Sequence, residues 1–174
     1  MSKRRGIRRD AQERASYQEQ NLAEEHDRYF LGSARVDIDT LHFVEPCFRE
    51  FDEKNLERLL DSYEREGCFR VEPVYHIPAT IDQQALSNAL VAADSSTDAL
   101  LSRDPRRWPK LTFPHEFRLL CLHGRHRIEA GRRYLSIYAR WWTVDLYANG
   151  EPPRCICDFV SSRSQISVSV YGPR

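Results

Sequence analysis

The chain has 174 residues, 41% of them apolar and 30% charged, which is enough for one domain of ordinary size and too apolar for a disordered polymer. Lys and Arg number 26, as do Asp and Glu, so the formal net charge is zero; a globally basic nucleic-acid surface is not indicated, and only a local patch is left. No apolar run approaches the roughly 20 residues of a membrane helix, and the N-terminus is no secretory signal, so no membrane partner is expected.

Residues 1–30 read as a charged tail or frayed helix, with Lys3, Arg4, Arg5, Arg8 and Arg9 at the start. The basic start is a solvated tail, or else a nuclear import signal or phosphate-binding arm. ARVDIDTLHFV alternates apolar and polar positions through Val36 and Ile38 and predicts a strand, which Pro46 then breaks. FDEKNLERLLDSYEREG predicts a helix capped by Asp52, with Leu56, Leu59, Leu60 and Tyr63 as its apolar stripe and Gly67 as its stop. CFRVEPVYHI predicts a second strand over Phe69–Tyr75, interrupted by Pro73, and DQQALSNALVAA a helix from the capping Asp82 to about Ala93. Residues 94–115 form a polar, proline-punctuated connection with Arg103, Arg106, Arg107 and Lys110 around Trp108. It reads as an exposed loop pinned by one buried tryptophan, or as a base-stacking, phosphate-contacting loop. EFRLLCLH predicts a strand, HRIEAGRRYLSIYA a helix and WWTVDLY a strand, an order that suggests a crossover unit. Beyond Asn149, RCICDFV and SRSQISVSVYGPR are weaker strand signals.

The stretch CLHGRHRIEAGRRYL, Cys121 to Leu135, carries the chemistry. A strand ends, Gly124 turns the chain, and Arg125, His126 and Arg127 open a helix. Cations are normally unfavourable at the positive end of a helix. The first N–H groups of a helix have no intrahelical partner, and a glycine lets a ligand approach the backbone, so the pattern suits a phosphate. Arg125 and Arg127 would add guanidinium forks, with His126 as donor or orienting residue. Ile128, Gly131, Leu135 and Tyr138 fall on one face, read as buried, while Glu129 can pair with Arg133 one turn on. The plain alternative is a surface tip facing water or a nearby carboxylate. A zinc site from His123, His126 and Cys121, Cys155 or Cys157 matches no standard spacing. The five cysteines, Cys47 and Cys68 with those three, are odd in number and irregular in spacing; reduced thiols in an intracellular setting, nuclear or cytoplasmic, are expected.

Gly124-Arg125-His126-Arg127-Ile128-Glu129-Ala130 resembles the G-x-[HR]-R-x-x-A signature shared by ParB-type partition proteins and sulfiredoxins. The segment EREGCFRVEPV, Glu64 to Val74, is similar to the ParB segment in which a helix ends at Gly and a strand with a proline follows. The resemblance covers about residues 34–147, with 148–174 as a C-terminal extension. More narrowly, RVDIDTLHFVEPCFREFDEKNLERLLDSYEREGC, LLCLHGRHRIEA and WWTVDLY look like an uncharacterised fungal family carried by giant mobile elements. Its members are usually much longer, so a fragment or truncated copy is expected.

The superfamily resemblance implies an α/β fold, a small mixed sheet with flanking helices. It implies that Gly124, His126 and Arg127 contact nucleotide phosphates. Arg125 stands where sulfiredoxins have their catalytic cysteine, so sulfinic-acid reduction is not expected. Between Gly67 and Gly124 the chain holds an extra helix and a long loop where ParB proteins have a short hairpin. The reading is a domain that binds a nucleoside triphosphate or diphosphate with Mg²⁺ through Gly124, Arg125, His126, Arg127 and, for a Mg²⁺-bound water, Glu129. Glu66 and Glu72 are the candidate general bases for any reaction. The alternatives are a DNA-backbone-binding accessory protein of a mobile element, a ParB-like nuclease, or a non-catalytic structural remnant.

Overall fold

The computed structural model describes residues 28–43 and 51–149. The strands are β1 Phe30–Asp37, β2 Leu41–Phe43, β3 Ile77–Ile81, β4 Lys110–Leu111, β5 Leu119–Cys121 and β6 Trp141–Ala148. The helices are α1 Glu53–Glu66, α2 Gln83–Ala92, α3 Thr97–Leu100 and α4 Arg125–Tyr134. The strands form one sheet in the order β2-β5-β3-β6-β1-β4. β1 with β4, β2 with β5 and β3 with β6 are parallel, and β3 with β5 is antiparallel. The expected fold class, α/β with a mixed sheet, is thus the one adopted. Leu31–Gly150 forms one compact unit.

Local signals set the helix ends. The Asp52 carboxylate accepts from Lys54 N at 3.0 Å and starts α1, which stops at Gly67. The Asp82 carboxylate accepts from Ala85 N at 2.8 Å and starts α2. Leu56 and Tyr63 are buried, with Leu59 and Leu60 partly so, as a 3.6-residue stripe requires. α1 packs on α4. α4 in turn comes so close to the sheet at Gly131 that a β-carbon there would lie 2.8 Å from Trp142 and 3.3 Å from Ile38.

The strand expected around Val36 and Ile38 is two strands. Asp37 caps a 3-10 turn at Ile38–Thr40, its carboxylate accepting from Asp39 N at 2.9 Å, so the chain leaves β1 there and enters β2. The strand expected over Phe69–Tyr75 is absent; a turn and a 3-10 segment, Pro73–Tyr75, lie there instead. The strand falls at Ile77–Ile81, in the middle of the sheet, despite Pro78. Pro78 gives the sheet only its carbonyl, which accepts from Leu122 N at 2.8 Å. The crossover expected from β5, α4 and β6 is also overturned. β3 lies between β5 and β6, antiparallel to one and parallel to the other. β5 and β6 therefore run in opposite directions, whereas a crossover joins parallel strands. The 94–115 connection contains α3, a 3-10 segment and the edge strand β4. Trp108 is buried there and its indole N–H donates to Ser102 O at 2.8 Å, so it pins the loop rather than offering a face to a base. The expectations for residues 1–27, Pro46, Cys47, Cys155, Cys157 and the strand signals after Asn149 lie outside the described residues.

Candidate functional site at the Gly124 turn

Leu122 is tied to Pro78 at the side of β3, and the next two residues carry the chain over the start of that strand. Gly124 sits there in a left-handed conformation, φ 103° and ψ 10°. A β-carbon at this position would run into Ile77 Cδ1, a fully buried side chain. Glycine is thus required twice, by the backbone angle and by the packing. Ile128 N donates to Gly124 O at 3.1 Å, the first bond of α4, and no side chain caps the turn.

The three residues that open α4 have different surroundings. Arg125 holds its guanidinium 5.4 Å from the Phe51 ring centre. His126 stacks on the same Phe51 ring, 4.9 Å between centres and 5° between planes. Its Nε2 accepts from Asp52 N at 2.9 Å. A ring nitrogen that accepts an N–H carries no proton, so the neutral ring has its proton on Nδ1. Burial holds the His126 imidazole below its ordinary pKa, with Arg125 adding to the effect and Asp52 opposing it. Arg127 is half-buried and reaches inward, donating to His76 O at 3.3 Å. Burial lowers its pKa, against the opposing influence of Tyr63 and Tyr75.

Beneath the turn lies a polar cluster that the sequence did not reveal. Tyr63 is 5% exposed and its hydroxyl has no hydrogen-bond partner; nor has His123 Nε2, which is also buried. Burial raises the Tyr63 phenol well above its ordinary range, Cys68 adds to this, and Arg127 opposes it. Burial, and then the charge of Arg127, push His123 down to about 4. Tyr63 and His123 thus both feel the Arg127 guanidinium. In the sequence Tyr63 counts as one residue of an apolar stripe; only the phenolic oxygen at its end could have marked it as a polar contributor.

Glu129 is drawn to its own helix: Oε1 lies 3.5 Å from Arg133 Nε and Oε2 3.5 Å from Arg132 Nη1. The expected Glu129–Arg133 pair is therefore formed. On the expected apolar face Ile128 and Gly131 are buried and Leu135 partly so. Tyr138 is 95% exposed, because α4 ends at Tyr134 and the chain turns before reaching it. Glu66 and Glu72 are both exposed. Cys121 is buried in β5, its thiol pushed up to about 12 chiefly by burial. Among the described residues no group of three or more His, Cys, Asp or Glu side chains could hold a metal ion. A second, part-buried network joins β1, β6 and the residue before β3. Asp145 Oδ1 accepts from Ser33 Oγ at 2.6 Å and faces His76 Nδ1 at 2.9 Å, while His76 Nε2 faces Val71 O at 3.2 Å. Ser33 points at the carboxylate and not at the imidazole, so this is no nucleophile–base pair.

The fold and the turn can now be set beside known proteins. The chain belongs to the family described as "Protein of unknown function (DUF3723) N-terminal domain". The DUF3723 N-terminal domain matches residues 29–165, which include every element from β1 to β6 and the whole Gly124 turn. No curated protein matches the chain. Among solved structures it is similar to the C-terminally truncated chromosome-partitioning protein ParB from Caulobacter crescentus complexed with CTP-gamma-S, at 13% identity and a TM-score of 0.42. That match covers 82% of this chain and 56% of the ParB chain, so the protein spans little more than half of that structure's length. No helix among the described residues is long and apolar enough to cross a membrane.

Proposed function

We propose that the Gly124 turn binds the phosphates of a nucleoside triphosphate or diphosphate. The carrying observation is the combination at one helix start of a glycine held left-handed against Ile77, no side-chain cap, and three cationic or titratable residues. Phosphate suits such an end because the helix dipole and the first N–H groups both favour an anion. Arg125 lies at the tip and Arg127 under it, so two guanidinium groups bracket the turn. His126 is held by Asp52 N and Phe51 and keeps Nδ1–H as its donor. The unpartnered Tyr63 hydroxyl and His123 Nε2 add polar atoms close to Arg127. The G-x-[HR]-R-x-x-A resemblance independently supports phosphate contacts at Gly124, His126 and Arg127.

Mg²⁺ would arrive with the phosphates and be held mainly by their oxygens and by water. Glu129, already engaged by Arg132 and Arg133, would at most orient such a water. This reading fits a role in DNA maintenance or mobile-element function, with the nucleotide as ligand and DNA as a further partner.

Thermal unfolding in a panel of ATP, CTP, GTP and their diphosphates, each with and without Mg²⁺, tests the proposal, with duplex DNA as a separate arm. A nucleotide at 100 times its Kd should stabilise the protein by about 2.7 kcal/mol. The shift should be lost in Arg125→Ala, whose fold should be intact, and in Arg127→Ala. If no nucleotide moves the transition while DNA does so in a strongly salt-dependent way, the turn grips DNA backbone instead.

A further inference from the structure

Between Ala99 and His115 the chain carries the cations Arg103, Arg106, Arg107 and Lys110 against a single carboxylate, Asp104. All of these side chains are exposed. The three arginines differ from the rest of the protein's arginines. Every other described arginine from Arg35 to Arg140 hydrogen-bonds, pairs or stacks within the chain. The side chains of Arg103, Arg106, Arg107 and Lys110 meet neither a hydrogen-bond acceptor nor a carboxylate among the described residues.

The backbone beneath them is fixed. Arg35 Nη2 donates to Pro105 O at 2.9 Å and to Arg106 O at 3.2 Å, and Arg35 N donates to Pro109 O at 2.9 Å. The Asp104 carboxylate accepts from Arg106 N at 3.0 Å and caps the 3-10 segment Pro105–Arg107. Trp108 sets its buried ring edge-on to His76, 5.1 Å between centres. The Pro105 and Arg106 carbonyls are thus spent on β1 and the one carboxylate on its own turn, while the cations are left over. An ordered turn also holds the roots of these side chains in place, so less remains to be ordered on binding.

The surroundings indicate the partner. The charge is concentrated in one turn of a chain whose net charge is zero, which is the footprint of a local anion-binding surface. Arginine suits phosphate in particular, because its guanidinium fork bonds two oxygens at once. A protein partner calls for an apolar centre, but Trp108, Pro109 and Leu111 are buried. The exposed Leu101 stands singly, which needs no explanation. The same lack of apolar contact disfavours a membrane surface. With Trp108 turned inward, the turn offers no ring to an unpaired base, so a single strand gains no stacking there. A row of phosphates on a duplex, gripped without reading sequence, fits what is left.

We propose that the Arg103–Lys110 turn contacts the phosphate backbone of a nucleic-acid duplex, with Arg103, Arg106, Arg107 and Lys110 as its phosphate-binding side chains. This gives a DNA partner a place separate from the Gly124 turn, and it stands whether or not that turn binds a nucleotide.

Fluorescence anisotropy of short labelled duplexes, titrated with the full chain between about 50 and 200 mM salt, tests this. DNA and RNA duplexes are run side by side to tell the two sources of backbone apart, and binding of either supports the proposal. Each of Arg103→Ala, Arg106→Ala, Arg107→Ala and Lys110→Ala should weaken binding severalfold, equally for unrelated duplex sequences. Each should also make the slope of log affinity against log salt shallower by about 0.9. Residues 1–27 are the same in every variant, so these differences belong to the turn. The substituted side chains are exposed, so the urea midpoint should not move. Arg125→Ala should leave duplex affinity unaltered, and the four turn variants should leave any nucleotide-induced thermal shift unaltered. Absence of duplex binding at the lowest salt overturns the proposal, as does duplex binding indifferent to the four variants. Duplex binding lost in Arg125→Ala but kept in the four variants overturns it in favour of the Gly124 turn.

Discussion

α1 and α4 start within hydrogen-bonding distance of each other, yet they start in opposite ways. α1 begins with an aspartate whose carboxylate satisfies Lys54 N, and an acidic Glu53 follows. α4 begins with a left-handed glycine, no side-chain cap and no acidic residue in its first turn. The first arrangement stabilises a helix by itself, through a capping bond and a favourable charge on the dipole. The second does neither and crowds positive charge where it is least welcome. His126 Nε2 and Asp52 N connect the two. The contrast teaches that α4 is held by tertiary packing, Gly124 on Ile77 and Gly131 on Trp142, rather than by a side-chain cap of its own.

Gly124→Ala should break the comparison most severely. The positive φ costs roughly 1–2 kcal/mol for any other residue, and Ile77 must move within a filled core, so about 3 kcal/mol is expected in urea unfolding. Asp52→Ala, the matching change at α1, should cost only about 1 kcal/mol. Equal losses would show that α1 depends on its surroundings as much as α4 does.

Acid should act on the α4 side next. His123 titrates at about 4 in the folded chain, against an ordinary value of 6.5. Between those values the unfolded chain binds more protons, so stability is complete above about pH 6.5 and declines as the pH falls towards 4. The loss is on the order of 3 kcal/mol. His126, also shifted downward, acts in the same sense. Urea midpoints from pH 7 to pH 4 measure the loss. His123→Phe should flatten most of it; an unchanged slope would mean that His123 is not the buried neutral ring described.

His126→Phe keeps the stack on Phe51 and removes the acceptor for Asp52 N. It should have a small effect, about 0.5–1.5 kcal/mol, by the same unfolding measurement. Because it also removes Nδ1–H, any nucleotide-induced shift should fall in this variant by more than its stability does.

Much of the molecule was legible because the signals were local. Asp52, Gly67 and Asp82 placed three helix ends correctly, and Gly124 marked the turn, because capping and left-handed angles depend on the residue itself and its near neighbours. The placement of the candidate site was legible too: the sequence picked out Gly124 to Arg127, and all four residues lie at one helix start. The inner cluster was not, since Tyr63 and Tyr75 influence Arg127 across more than 50 residues of chain and an apolar stripe conceals a phenolic oxygen.

The sequence by itself therefore determined α1, α2, the start of α4, the turn and the apolar content, all of which are set within about one helical turn of chain. Only the tertiary structure decided which apolar segments pair. Pro78 enters a central strand because its carbonyl still finds Leu122 N, whereas Phe69–Tyr75 folds into a turn and a 3-10 segment. The same cause turns β5 and β6 in opposite directions: strand partners are chosen by contacts far apart in sequence, which no local pattern encodes.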